Sequence, residues 1–182
     1  SWLLDPEYQT FLPETSNIVG FQKDFEILHV GARIKSMEKD FTVAKDALER
    51  ADLLIFCYPV YTFIAPSQLH RFFELLQESG ISLAGKYAAQ LSTSKHFYDI
   101  TAHRYVQDNC ADLGLNYVRG LSADMDDLLS EKGRKEAEKF MEHVIWSVEK
   151  GYFEPAEKAC EEGVRVSAVR PEVAFCGEKT GS

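Results

Sequence analysis

Cysteine is scarce and scattered in this chain. Cys57, Cys110, Cys160 and Cys176 are the four among 182 residues, and no two of them form a C-x-x-C pair. That spacing excludes the compact thiolate sets of structural zinc sites, iron–sulfur clusters and dithiol redox centres, and the four read as reduced, mostly buried thiols. Positive charge is also in short supply. Twenty Lys and Arg face 29 Asp and Glu, for a formal net charge of −9 and a pI near 5.1, and no basic stripe runs along the sequence. A protein that grips a phosphate backbone needs clustered cations to displace counterions, so nucleic-acid binding is excluded. No apolar run reaches the roughly 18 to 20 residues needed to cross a bilayer, and no charged-then-apolar leader opens the sequence. No membrane partner is expected, and cytoplasmic residence is.

Several catalytic signatures are missing as well. There is no G-x-S-x-G elbow to lift a serine nucleophile, which argues against a hydrolase. There is no G-x-G-x-x-G loop, so a nicotinamide would have no dinucleotide site of its own. The acidic group Asp124, Asp126 and Asp127 lacks the glycine and terminal Glu of a calcium loop and reads as a solvated loop or helix cap. Asp99 and His103 stand four apart, on one face of any helix there, with His96 close by in sequence. A surface cluster or a capping Asp accounts for these better than a metal site, so no metal is expected. His29, His70 and His143 read as ordinary strand-end or helix residues.

What is present is enough for a single packed domain: 182 residues, 45% hydrophobic and 27% charged, with no repeats or low-complexity tracts. Phe25 to Val30 (FEILHV) is a short apolar run compatible with a strand. The spacing of Phe41, Ala44 and Leu48 is helical. Leu53 to Tyr58 is uninterrupted and apolar, as suits a strand covered on both faces. After Pro66-Ser67, the apolar positions Leu69, Phe72, Phe73 and Leu76 predict a helix that stops at Gly80. Tyr87 to Leu91 predicts a strand followed by a polar loop from Ser92 to His96. Asp99 to Leu113 predicts a helix, Asn116 to Leu121 a last strand, and Arg134 to Lys150 a closing amphipathic helix. Strands alternating with helices give an α/β fold, a three-layer sandwich around a parallel, doubly wound sheet, over residues 1–152. Residues 153–182, broken by Pro155 and Pro171, read as a tail or linker.

In such sheets ligands settle beyond the carboxyl ends of the strands. The loop there, Pro59-Val60-Tyr61-Thr62-Phe63, offers aromatic faces, hydroxyls and backbone amides together. Three stretches, Ala51 to Phe56 running into Pro59-Val60-Tyr61, Ser67-Gln68-Leu69 with Arg71-Phe72, and Gly85-Lys86 leading to Leu91-Ser92-Thr93-Ser94, resemble the flavodoxin-like NAD(P)H-dependent FMN reductase family. The resemblance covers Ala51 to Gly120. It implies a flavodoxin-like fold and an FMN ring walled by Pro59, Val60, Tyr61, Thr62 and Phe63, with its edge met by Ser92, Thr93, Ser94, Lys95, His96 and Phe97. His96 is then a candidate proton donor beside reduced flavin or a quinone.

The implied activity is oxidoreduction, with electrons passing from NAD(P)H, a transient reductant, through FMN to a quinone, a free flavin or a redox protein, and with no side chain acting as a nucleophile. The two loops are expected to form a slot for the flat ring. A homodimer is implied too, because the family often seats its flavin at a subunit boundary. The chain departs from the family at its start: residues 1–26 hold no strand followed by a Ser/Thr-rich phosphate loop. Three expectations would account for this. The sequence lacks a native beginning, residues are missing around Ser1, or another segment or partner fills the gap. The alternative function is a flavodoxin-like binding or scaffolding domain that has lost FMN.

Overall fold

The computed structural model describes residues 25–95, 98–124, 126–127 and 130–155. In chain order the elements are α1 (Val30–Met37), α2 (Thr42–Arg50), β1 (Leu53–Pro59), α3 (Ser67–Glu78), β2 (Tyr87–Ser94), α4 (Ile100–Asp112), β3 (Asn116–Tyr117), β4 (Leu121–Asp124) and α5 (Glu131–Lys150).

Among the described residues every pairing between strands is parallel, as the βαβ alternation requires. β2 is central. It pairs with β1 along its length, from Leu53 opposite Tyr87 to Pro59 opposite Thr93. On its other side it meets β3 near its start and β4 near its end, with Leu91 opposite Leu121 and Ser94 opposite Asp124. β3 and β4 are two halves of one edge, interrupted at 118–120. At the interruption Gly120 lies so close to β2 that an added Cβ would overlap Gln90, so only glycine fits there.

Period-2 alternation divides the side chains between two cores. On one face Leu54, Phe56 and Tyr58 of β1 and Ala88 of β2 pack against Leu48 of α2, Phe72, Phe73 and Leu76 of α3, and Val106 of α4. On the other, Ala89 and Val118 pack against Phe140 and Val144 of α5. This is the helix, sheet, helix sandwich that the alternation predicts. The helices at 42–50, 67–78 and 100–112 and the strand at 53–59 match their expected positions within a few residues.

Three expectations need correction. The last strand, expected over Asn116 to Leu121, is broken at 118–120 and resumes as Leu121–Asp124. Phe25 to Val30 is not a strand. Residues 26–29 are irregular and Val30 begins α1, where Arg33 N donates to His29 O at 2.9 Å. A strand needs a neighbour for its backbone groups, and among the described residues none pairs with this segment. Its apolar side chains Leu28 and Val30 instead pack on the first core. Ser92, Thr93 and Ser94 are not loop either, because β2 runs through all three. Cys110 is buried as expected, whereas Cys57 is exposed on the second face of β1; Cys160 and Cys176 lie outside the described residues, as do residues 156–182 of the expected tail.

α5 begins three residues earlier than the periodicity predicts because Ser130 caps it, its hydroxyl accepting from Gly133 N at 3.0 Å. Ser130→Ala is expected to cost about 1 kcal/mol. Urea unfolding should show this as a lower midpoint with an unchanged m-value.

Candidate functional site

β1 ends in a turn that its sequence does not favour. Tyr61 N donates to Ile64 O at 3.0 Å and Ile64 N to Tyr61 O at 3.1 Å, so Thr62 and Phe63 are the central pair of a two-residue reversal. Both have positive φ, 49° and 70°. Turns with two left-handed central residues normally carry Asn-Gly or Gly-Gly. A β-branched threonine followed by phenylalanine is unusual there, and each such residue costs of the order of 1–3 kcal/mol. Strain of this kind persists where the surrounding structure imposes it, commonly at ligand sites.

The turn holds apolar side chains in solvent. Tyr61 is 61% exposed, Phe63 51% and Ile64 48%. The bonds that close the turn involve Tyr61 and Ile64, leaving the Thr62 and Phe63 amides outside it. Across from the turn, in the connection from β2 to α4, Tyr98 stands 58% exposed with its ring edge-on to Phe63 at 5.1 Å. Two loops that follow adjacent parallel strands thus meet through an aromatic pair, at the carboxyl ends where α/β sheets bind ligands. The arrangement is an open shelf. The expected slot between the loops is closed by the Phe63–Tyr98 contact.

A buried polar group lies behind Tyr98. Ser92 Oγ donates to Asp99 Oδ2 at 2.9 Å and stands 2.8 Å from His103 Nε2, which is 3.4 Å from the same carboxylate oxygen. Since the serine proton is committed to Asp99, Ser92 accepts from a protonated His103 Nε2. Burial works to raise the Asp99 pKa, but hydrogen bonds from Ser122 and Ser92 and the nearby His103 hold it below the usual carboxylate range. For His103, burial dominates and lowers the pKa; Asp99 opposes this and Arg119 adds to it. Serine, histidine and aspartate are together, but Ser92 is fully buried and its proton points at the carboxylate, so it is no nucleophile.

This arrangement fixes a pH dependence. Below its ordinary pKa of about 6.5, His103 takes up a proton more readily in the unfolded chain than in the fold, so stability falls as pH drops through that range. His103→Gln removes that ionisation. The fall in Tm from about pH 7.5 to about pH 5.5 should be shallower in the variant, and equal slopes would contradict the assignment.

Of the residues expected at the site, Tyr61, Thr62 and Phe63 stand on the exposed turn and Pro59 is exposed beside them. Val60 is half-buried and tied to β2 through Val60 N to Thr93 O at 2.9 Å. Ser92 and Ser94 are buried in β2 on the side of the first core, Thr93 is half-buried and Lys95 is exposed. Burial removes Ser92 from any contact with a ligand. His96 and Phe97 lie outside the described residues. Tyr98, Ile64 and Asp99 were not among the expected site residues; an aromatic next to Asp99 at a helix start was the available signal for Tyr98.

Concavities of ≈ 580 and ≈ 500 Å³ lie elsewhere, along α5. The first is bordered by Glu131, Lys132, Lys135, Glu136 and Lys139, the charged outer face of that helix. The second lies between α5 and the β3–β4 edge, at Arg119, His143 and Tyr152. Neither is at the carboxyl ends of the strands. No group of three or more potential metal ligands occurs among the described residues, and none of their helices is long and apolar enough to cross a membrane.

The apo form of an NADH:FMN oxidoreductase superposes on the chain with a TM-score of 0.54 at 21% identity, over 66% of this chain and 67% of that one. This likeness shows the fold, a flavodoxin-like α/β sandwich. A flavodoxin from the domain Archaea (TM-score 0.47, 15% identity, 66% of this chain and 85% of that one) and an NADPH-quinone reductase from P. pentosaceus (0.44, 12%, 71% and 92%) are more remote. Residues 1–53 match the model of a GNAT-like C-terminal domain. That is less than a third of the chain, and its described part comprises α1, α2 and the first residue of β1. No curated protein sequence matches the chain.

Proposed function

We propose that this protein is a flavin-dependent oxidoreductase that seats FMN on the shelf formed by Tyr61, Phe63 and Tyr98. The observation that carries this reading is the strained Thr62-Phe63 turn. A fold that only needed to reverse its chain would place Asn-Gly there; this one accepts strain and holds an aromatic side chain in water at the carboxyl end of β1.

The residues present suit a flavin. An isoalloxazine ring needs apolar or aromatic faces, which Tyr61, Phe63, Ile64 and Tyr98 supply, and donors at its polar edge, which the Thr62 and Phe63 amides can provide. Lys95, exposed at the end of β2, adds a cation beside the shelf. When bound, FMN supplies the capacity to accept a hydride and release electrons singly or in pairs. The side chains supply position and shielding from water on the buried side. The open outer side leaves room for NAD(P)H, and then for a quinone, a free flavin or a redox protein, to approach in turn.

The test is reductive. Under anaerobic conditions, FMN mixed with the protein should be bleached by NADH or NADPH faster than FMN alone, and a quinone should restore its visible absorption. Bleaching no faster than in buffer would overturn the reading in favour of a domain that binds or scaffolds without flavin.

A further inference from the structure

We propose that Asp99 is a positioning residue for the shelf, with its buried charge fixing Tyr98 in place and biasing the bound cofactor toward its oxidised form; this rests on the flavin reading above. Asp99 occupies the N-cap of α4, where an aspartate side chain ordinarily accepts from the helix's free amides, yet it makes no such bond. Its carboxylate turns toward the sheet instead, accepting from Ser92 of β2 at 2.9 Å and lying near Ser122 of β4, with His103 of α4 at 3.4 Å. One carboxylate, only 4% exposed, therefore ties the end of β2 to a helix.

Stability alone does not explain this choice. An ionised carboxylate out of water is costly, and a well-packed apolar residue commonly serves a core as well or better. The location is what distinguishes it. Asp99 is the covalent neighbour of Tyr98, and the end of β2 that it holds is the one from which Tyr98's loop departs. Fixing Asp99 fixes where Tyr98 stands relative to Phe63. A fixed negative charge beside the cofactor also opposes the negative charge that flavin gains on reduction, an effect that low local dielectric strengthens. Among the titratable and charged groups of the described residues, His103 on α4, Arg119, which follows β3, and the Tyr58 hydroxyl of β1 are coupled to this cluster.

The two parts of the proposal separate experimentally. In the protein without flavin, Asp99→Ala should speed amide hydrogen exchange at His103, whose amide donates to Asp99 O at 2.8 Å, by about tenfold or more, and by a larger factor than at Phe73 and Leu76 of the first core. Equal exchange at His103 would overturn the positioning role while leaving the flavin reading intact. In the FMN-loaded protein, the nearly isosteric Asp99→Asn should raise the midpoint potential of the bound flavin. Midpoints that coincide with wild type would overturn the electrostatic role. Failure of the wild type to bind FMN would overturn the flavin reading itself, with the exchange result still deciding whether Asp99 positions Tyr98.

Discussion

Replacing Thr62-Phe63 with Asn-Gly is expected to stabilise the protein by about 1–3 kcal/mol while weakening FMN binding by about tenfold to a hundredfold. The two effects have opposite signs for one structural reason. Both residues lie at positive φ, 49° and 70°, a conformation that Asn and Gly adopt at little cost. The same exchange deletes the ring that meets Tyr98 at 5.1 Å. Denaturant midpoints and flavin fluorescence titrations on the two proteins measure the two effects separately. A variant that is less stable than wild type would show that the turn is not strained, and one that binds FMN as well as wild type would show that Phe63 does not touch the ring. Gains in stability bought with function are a recurrent pattern at strained sites.

Gln90→Ala is expected to cost about 3–5 kcal/mol, since it leaves up to three buried polar groups unpaired at about 1–3 kcal/mol each and opens a cavity. Gln90 is fully buried in β2 beneath the site. Its Oε1 accepts from Tyr58 Oη at 2.5 Å, and its Nε2 donates to His103 O at 3.0 Å and to Tyr117 Oη. Burial pushes the Tyr117 hydroxyl up to about 12 and raises that of Tyr58 further, so both stay neutral. This amide links β1, β2, β3 and α4 below the shelf, much as Asp99 links β2 and α4 beside it. A loss under about 1 kcal/mol, read from urea midpoints, would mean that water replaces the amide without strain.

The parts of the fold legible in the sequence are those whose pattern is set by local burial. β1 reads as a strand because its residues are apolar without a break, and α3 reads as a helix because Leu69, Phe72, Phe73 and Leu76 fall on one face. The segment at 25–30 is misread because an apolar run records only that side chains are buried. Whether its backbone finds a strand neighbour is decided elsewhere in the chain. Ser92 to Ser94 are misread for a related reason. A run of hydroxyls scans as loop, yet here the inward-facing Ser92 is satisfied by Asp99 and His103, seven and eleven residues away. The place of the exposed turn is legible from its position after a buried strand, but its conformation is not, because Thr-Phe carries none of the usual signals for positive φ.

The central claim is that the aromatic shelf holds the isoalloxazine ring. Intermolecular NOEs in the FMN-saturated protein test it most directly. The account predicts cross-peaks from the flavin ring methyl protons to the ring protons of Phe63 and Tyr98. Saturable FMN binding with cross-peaks only to residues on and just after α5, such as His143 and Tyr152, would contradict it.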